Sequence, residues 1–184
     1  PGSINTYPEG DSLCFNTDDL SVLQSFIDSS LATLPDSLDV SMLANSSGSI
    51  EDMIHLELGE QIWEHGKLIS LDANSRGLSG VIPQNIGRLD SLLFLYLSDN
   101  HLSVELPESI YTLINLYSLH LSGNQLSGEI LAAICLRLNN NWELDGFNPN
   151  RSYLYNNQFC PGEGGYPDCI KSSMGEQDAT GCDP

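Results

Sequence analysis

The segment LLFLYLSDNHLSVELPESIYTLIN (92–115) decides how this chain reads, because its two neighbours repeat it. LISLDANSRGLSGVIPQNIGRLDS (68–91) precedes it and LYSLHLSGNQLSGEILAAICLRLN (116–139) follows. Leu68, Leu92 and Leu116 start the units, and Leu71, Leu95 and Leu119 follow three positions on. Leu78, Leu102 and Leu126 form a third column, Ile82, Leu106 and Ile130 a fourth, and Ile86, Ile110 and Ile134 a fifth. Apolar columns kept in register over three units mean stacked supersecondary units. No single unit buries its own apolar side.

Each unit follows L-x-x-L-x-L-x-x-N-x-L-x-G-x-I-P. The alternation around Leu95-Tyr96-Leu97 predicts a short strand. Leu95 and Leu97 then point inward, while Phe94, Tyr96 and Ser98 point outward. Asn100 and Asn124 share a column, where a buried amide can donate to and accept from the backbone of neighbouring coils. Gly80 and Gly128 suit a tight turn. Pro83 and Pro107 open a short helical turn. The pattern resembles plant-type leucine-rich repeats (LRRs). That resemblance implies an α/β fold, a short right-handed LRR solenoid. The departures are Ala73 for the second strand leucine, Arg76 for the asparagine, Val104 for the glycine and Leu131 for the proline.

The flanks read as caps. Residues 16–34 predict an amphipathic helix, capped by Asn16 or Thr17, with Asp18 and Asp19 at the positive end of its dipole. Leu20, Leu23, Phe26, Ile27 and Leu31 are its expected core stripe. The segment resembles the N-terminal cap helix of plant-type LRR proteins, which precedes a short hairpin and a tryptophan; Trp63 stands at the matching place. The paired cysteines of that cap are missing. A Ser-rich stretch (40–49) reads as a loop, and residues 53–58 (MIHLEL) as an extra strand. Downstream, YLYNNQF (153–159) superposes on HLSGNQL (120–126), placing Leu154 and Asn157 in the Leu and Asn columns, although Ser152 stands where a core leucine belongs. The organisation expected is a cloning scar at 1–3, an N-terminal cap at 4–67, three repeats at 68–139, and a degenerate repeat with a Cys-rich cap at 140–184.

Four of the five cysteines, Cys135, Cys160, Cys169 and Cys182, follow residue 134 in a Gly- and Pro-rich setting. They predict a disulfide-bearing C-terminal cap formed in an oxidising compartment, with three connectivities open. The run from Ile134 to Cys182 resembles the cysteine-containing end cap of secreted LRR proteins, including ones from marine bacteria and algae. Cys14 is left over, free or paired with a partner chain, so a homodimer stays open.

The net charge is −19, from 25 acidic against 6 basic residues. Such a chain is repelled by nucleic acid and by anionic membrane surfaces. No apolar run reaches the ~18 residues that a membrane-spanning helix needs. The expectation is a secreted or cell-surface protein whose signal peptide has been removed.

LRR proteins contact ligands through the outward positions of the concave sheet. That resemblance implies Asp72 and Asn74; Phe94, Tyr96, Ser98 and Asp99; Ser118, His120 and Ser122; and Tyr153 and Tyr155. Ser70 belongs to the same set, and His55 and Glu57 extend the row. Phe94, Tyr96, His120, Tyr153 and Tyr155 form an aromatic band suited to a protein or a polysaccharide ligand. No HExxH, nucleophile elbow, phosphate loop or calcium loop occurs, so the reading includes no enzyme, metal or cofactor. The function expected is a non-catalytic extracellular recognition module. The alternatives are an inhibitor of a secreted hydrolase, or a structural, self-associating ectodomain.

Overall fold

The computed structural model describes residues 15–33, 58–138 and 153–182. The Ser-rich loop, His55, Glu57, Cys14, Ser152 and residues 53–57 of the expected extra strand lie outside the described residues. Leu58 is described, and it is buried.

The chain orders as α1 (Thr17–Thr33), β1 (Glu60–Glu64), β2 (Lys67–Asp72), β3 (Ser79–Gly80), β4 (Phe94–Tyr96), β5 (His101–Glu105), β6 (Ser118–His120), β7 (Gln125–Glu129), α2 (Ala133–Leu138) and β8 (Gln158–Cys160). The first sheet runs β1-β2-β4-β6. Its β2, β4 and β6 are parallel, with Leu71 opposite Leu95 and Leu95 opposite Leu119, as the repeat spacing requires. Tyr153 extends it by a parallel bridge to His120. Among the described strands of this sheet only β1 is antiparallel, forming with β2 the hairpin that carries Trp63. A second parallel ladder, β3-β5-β7-β8, was not foreseen from the sequence. It forms because the Leu-x-Gly segments of successive units also come into register, Gly80 opposite Leu102 and Gly128 opposite Phe159.

All five apolar columns are buried in one core, which Leu154, Phe159, Ile170 and Met174 continue. Leu154 and Asn157 are both buried there, and Tyr153 and β8 pair with β6 and β7. The asparagine column is a ladder of buried side chains. Asn100 Oδ1 accepts from the backbone N–H of Arg76 (3.1 Å) and of Leu78 (2.9 Å). Asn124 Oδ1 accepts from Leu102 N–H (3.0 Å), and Asn157 Oδ1 from Leu126 N–H (3.0 Å). Their amides donate to carbonyls of their own and the preceding coil. The Leu97 carbonyl receives both Asn100 and Asn124, and the Leu121 carbonyl both Asn124 and Asn157.

The glycine column needs positive φ: Gly80 has +77° and Gly128 +74°. Val104 takes the same conformation at +71°, in a region that a β-branched residue rarely enters. Short 3-10 turns follow the prolines, at Ile86–Arg88 and Glu108–Thr112. In the third unit, where Leu131 replaces proline, α2 takes that place.

Asn16 caps α1, its Oδ1 accepting from Asp18 N–H and Asp19 N–H. The buried stripe of this helix differs from the expectation. Asp19, Val22, Leu23, Phe26, Ile27 and Ser30 face inward, whereas Leu20 is half-buried and Leu31 exposed. Polar anchors set the rotation. Ser30 Oγ accepts from Ser79 N–H, and Asp19 Oδ2 accepts from Leu68 N–H at 2.8 Å, so both must face the first unit. Burial raises the Asp19 carboxyl above the usual carboxylate range, against the opposing pull of Leu68 N–H and Lys67. Lys67 lies 3.5 Å from Asp19 and 3.0 Å from Asp90. Its ammonium is pushed up, chiefly by the hydrogen bond to Asp90, which in turn holds Asp90 low.

Two disulfides, Cys135–Cys169 and Cys160–Cys182, select one of the three connectivities. Their spans interlace. Together they tie the start of α2 and the end of β8 to the C-terminal segment.

Candidate functional site

Register places the candidate residues in rows across the first sheet. Asp72 is opposite Tyr96, Tyr96 opposite His120, and His120 bridges to Tyr153. On the antiparallel side Glu60 is opposite Asp72. One row therefore runs Glu60, Asp72, Tyr96, His120, Tyr153. A second runs Ile62, Ser70, Phe94, Ser118.

The rings form a continuous band. Tyr96 and His120 centroids are 4.3 Å apart with 33° between planes, and His120 and Tyr153 are 4.5 Å apart at 58°. Tyr153 meets Tyr155 edge-on at 6.0 Å, and Phe94 lies 6.1 Å from Tyr96. Tyr153 and Tyr155 are 42% and 41% exposed, so the C-terminal segment does not cover them. Tyr155 instead packs its Cβ against Gly175, where an added methyl group would come within 2.6 Å. Phe94, Tyr96 and His120 are half-buried.

The short side chains behave otherwise. Ser70, Ser98, Ser118 and Ser122, expected outward, are buried. They stand beside larger neighbours, and the hydroxyls of Ser98, Ser118 and Ser122 are engaged with other side chains of the sheet. Ser122 Oγ donates to Ser98 Oγ at 3.0 Å, and Ser118 Oγ lies 3.2 Å from His120 Nε2. They position the face rather than present it. Asn74 is also committed, since its Oδ1 accepts from Ser98 N–H. Asp72 is half-buried, and its Oδ1 accepts from Asn74 N–H. Asp99 is exposed, with positive φ (56°), and Gly123 allows its close approach.

Two elements of the face escaped the sequence reading. Tyr117 joins the band through Phe94, at 5.6 Å and 80°. It occupies the column of Ile69 and Leu93, so the repeat offered no polar or aromatic signal there. Glu60 and Ile62 belong to an antiparallel strand outside the 24-residue period, which only pairing reveals. Ile62 is 57% exposed.

Away from the aromatic row, an open cleft of about 700 Å³ lies against β5, β7 and β8, with Glu105, Glu108 and Glu129 on its walls and Tyr111, Leu106 and Leu131 among its apolar lining. Among the described residues, no group of three or more His, Cys, Asp or Glu side chains could hold a metal ion.

The Leucine Rich Repeat family model matches residues 91–113 and 115–136. None of the curated proteins matches the chain. Solved structures similar to it include LRR ectodomains of plant receptor kinases. The BIR3–SERK2 complex from Arabidopsis thaliana matches with 26% identity and a TM-score of 0.54, over 85% of this chain and 76% of that one. The LRR ectodomain of the receptor kinase SOBIR1 from Arabidopsis thaliana matches with 20% identity and a TM-score of 0.52, over 88% and 76%. The PEPR1–AtPEP1 complex matches with 23% identity and a TM-score of 0.53, over 78% of this chain. The chain spans 18% of the length of the PEPR1-complex chain that it matches. The protein thus carries leucine-rich repeats on an LRR-type α/β fold, bearing two disulfides.

Proposed function

We propose that this protein is a non-catalytic extracellular recognition module that binds a protein ligand through the aromatic row of its first sheet. In this reading the chain is a short right-handed solenoid. Residues 4–67, including α1 and β1, close one end. Residues 68–139 hold the repeats, and 140–184 close the other end with a disulfide-bearing cap of the kind that secreted LRR proteins from marine bacteria and algae carry.

The observation that carries the reading is the unbroken band from Phe94 through Tyr96 and His120 to Tyr153 and Tyr155, on strands held rigid by the asparagine ladder. Rigid aromatic side chains give large contact area at small entropic cost. The choice of protein over polysaccharide rests on how the rings are arranged. A sugar stacks on an open ring face. Tyr96 and His120, at 4.3 Å and 33°, turn faces toward each other, and Tyr153 closes on the other side of His120. The band therefore offers ring edges and tyrosine hydroxyls, which suit peptide groups and apolar side chains. The similar structures support a protein ligand too: one is a complex of two proteins, BIR3 and SERK2. Two disulfides favour an oxidising, extracellular setting.

The test is a parallel screen of the folded protein against displayed extracellular proteins and a glycan array. The expected outcome is protein ligands whose binding falls at least tenfold in Tyr96→Ala and His120→Ala, with the fold intact by circular dichroism. Ligands found only among glycans, or protein binding indifferent to both variants, would overturn the reading.

A further inference from the structure

The row that contains the aromatic band ends in two carboxylates. Glu60 and Asp72 are direct cross-strand partners in the antiparallel β1–β2 pair, so both project from the same face of the sheet as Tyr96 and His120. Partners of this kind hold their Cβ atoms about 5 Å apart, and like charges so placed destabilise a sheet. Among the described residues the ion pairs are Lys67 with Asp19 and Asp90, and Arg88 with Asp18. Neither Glu60 nor Asp72 has one. Glu60 is exposed and Asp72 half-buried; Asp72 Oδ1 accepts from Asn74 N–H, and among the described residues no hydrogen bond reaches its Oδ2.

We propose that the pair is the specificity subsite of the aromatic face: it takes the side chain of a lysine or arginine in a peptide segment of the partner, while an apolar or aromatic residue of the same segment lies on the edges of Tyr96 and His120. The inference rests on the reading of this face as the contact surface. Charge complementarity names the occupant. A guanidinium or ammonium between the carboxylates removes their repulsion and gains charge-assisted hydrogen bonds. The exposed Ile62 and the half-buried Phe94, in the adjoining row, give its aliphatic stem an apolar shelf. Spacing follows from the sheet. Strands lie about 4.8 Å apart, so the centre of the Glu60–Asp72 pair is roughly 10 Å from the midpoint of Tyr96 and His120. An extended segment crossing the strands covers that in about three residues. The ligand motif is a basic residue about three positions from an apolar or aromatic one.

The experiment is panning of a random dodecapeptide display pool on the folded protein at 0.15 M salt, repeated with the E60Q/D72N double variant and with Tyr96→Ala. Asparagine at 72 keeps the oxygen that accepts from Asn74 N–H, so the hairpin is retained. The expected result is a consensus with Lys or Arg about three positions from an aromatic residue. The basic position should vanish from the E60Q/D72N pool while the aromatic one persists. A synthetic consensus peptide should bind that variant at least tenfold more weakly and with a flatter salt dependence. Diffuse attraction by the net charge of −19 cannot produce this, because the variant removes only the two charges of Glu60 and Asp72. A consensus without a basic position, a basic position unchanged in E60Q/D72N, or no enriched peptide would overturn the proposal. A consensus unchanged in Tyr96→Ala would instead overturn the reading of the face itself.

Discussion

Substituting Asn124 by alanine tests whether the asparagine ladder holds the coils together, and the pattern of shared carbonyls sets the magnitude. Asn124 is buried, accepts from Leu102 N–H, and donates to the carbonyls of Leu97 and Leu121, each at 2.9 Å. Both carbonyls keep a second donor after the change: Asn100 for Leu97 and Asn157 for Leu121. Only Leu102 N–H is left without a partner. An orphaned buried donor costs ~1–3 kcal/mol, and each lost but still substituted bond ~0.5–1.5 kcal/mol, giving about 4 kcal/mol in all. Asn100→Ala is different. It strips Arg76 N–H and Leu78 N–H of their acceptor, and the Ala73 carbonyl of its Asn100 donor. The half-exposed turn around Arg76 lets water replace part of that loss, so Asn100→Ala should exceed Asn124→Ala by about 2 kcal/mol. Urea unfolding followed by circular dichroism, with disulfides intact, gives both values. Native-state hydrogen exchange adds a local check. Leu102 N–H should lose protection in Asn124→Ala, and Leu78 N–H should lose it only in Asn100→Ala. Equal costs, or the reverse order, would refute the shared-carbonyl argument.

Other changes probe the remaining features. Val104→Gly removes a β-branched side chain, 54% exposed, from a positive φ; relief of ~2 kcal/mol of strain, less the added freedom of the unfolded chain, leaves about 1 kcal/mol of stabilisation, read as a rise in Tm. Gly128→Val should destabilise by more than that, because its Cβ would meet the Glu105 side chain at 2.5 Å. Asp19→Ala should cost ~2 kcal/mol by orphaning Leu68 N–H, while Asp19→Asn keeps that bond and removes a buried charge. Because the folded-state pKa of Asp19 is raised above 3.8, its contribution is most favourable below pH 3.8 and is lost as pH rises through the folded value. Asp19→Asn should therefore gain on the parent between pH 3 and pH 7 in denaturant titrations. Replacing Cys135 and Cys169 by alanine opens a loop spanning 34 positions and should lower stability by roughly 3–4 kcal/mol, measured the same way.

The 24-residue period by itself determined the parallel strands, the core columns and the asparagine ladder. Each depends only on which residues recur at fixed spacing, and stacking converts spacing directly into contact. It also placed Tyr96 beside His120, because residues one period apart become strand neighbours. The tertiary structure decided what the period does not encode. Which cysteines pair depends on where the C-terminal segment folds back. The rotation of α1 follows buried polar anchors, Asp19 and Ser30, rather than its leucines. Burial of Ser98, Ser118 and Ser122 reflects the size of their neighbours, which alternation alone does not register. The Glu60–Asp72 pair arises from an antiparallel register between a repeat and a strand outside the repeats. The repeat could specify the scaffold because its contacts are periodic; a pairing outside the period, such as that of Glu60 with Asp72, is decided only by how the flanking segments fold back.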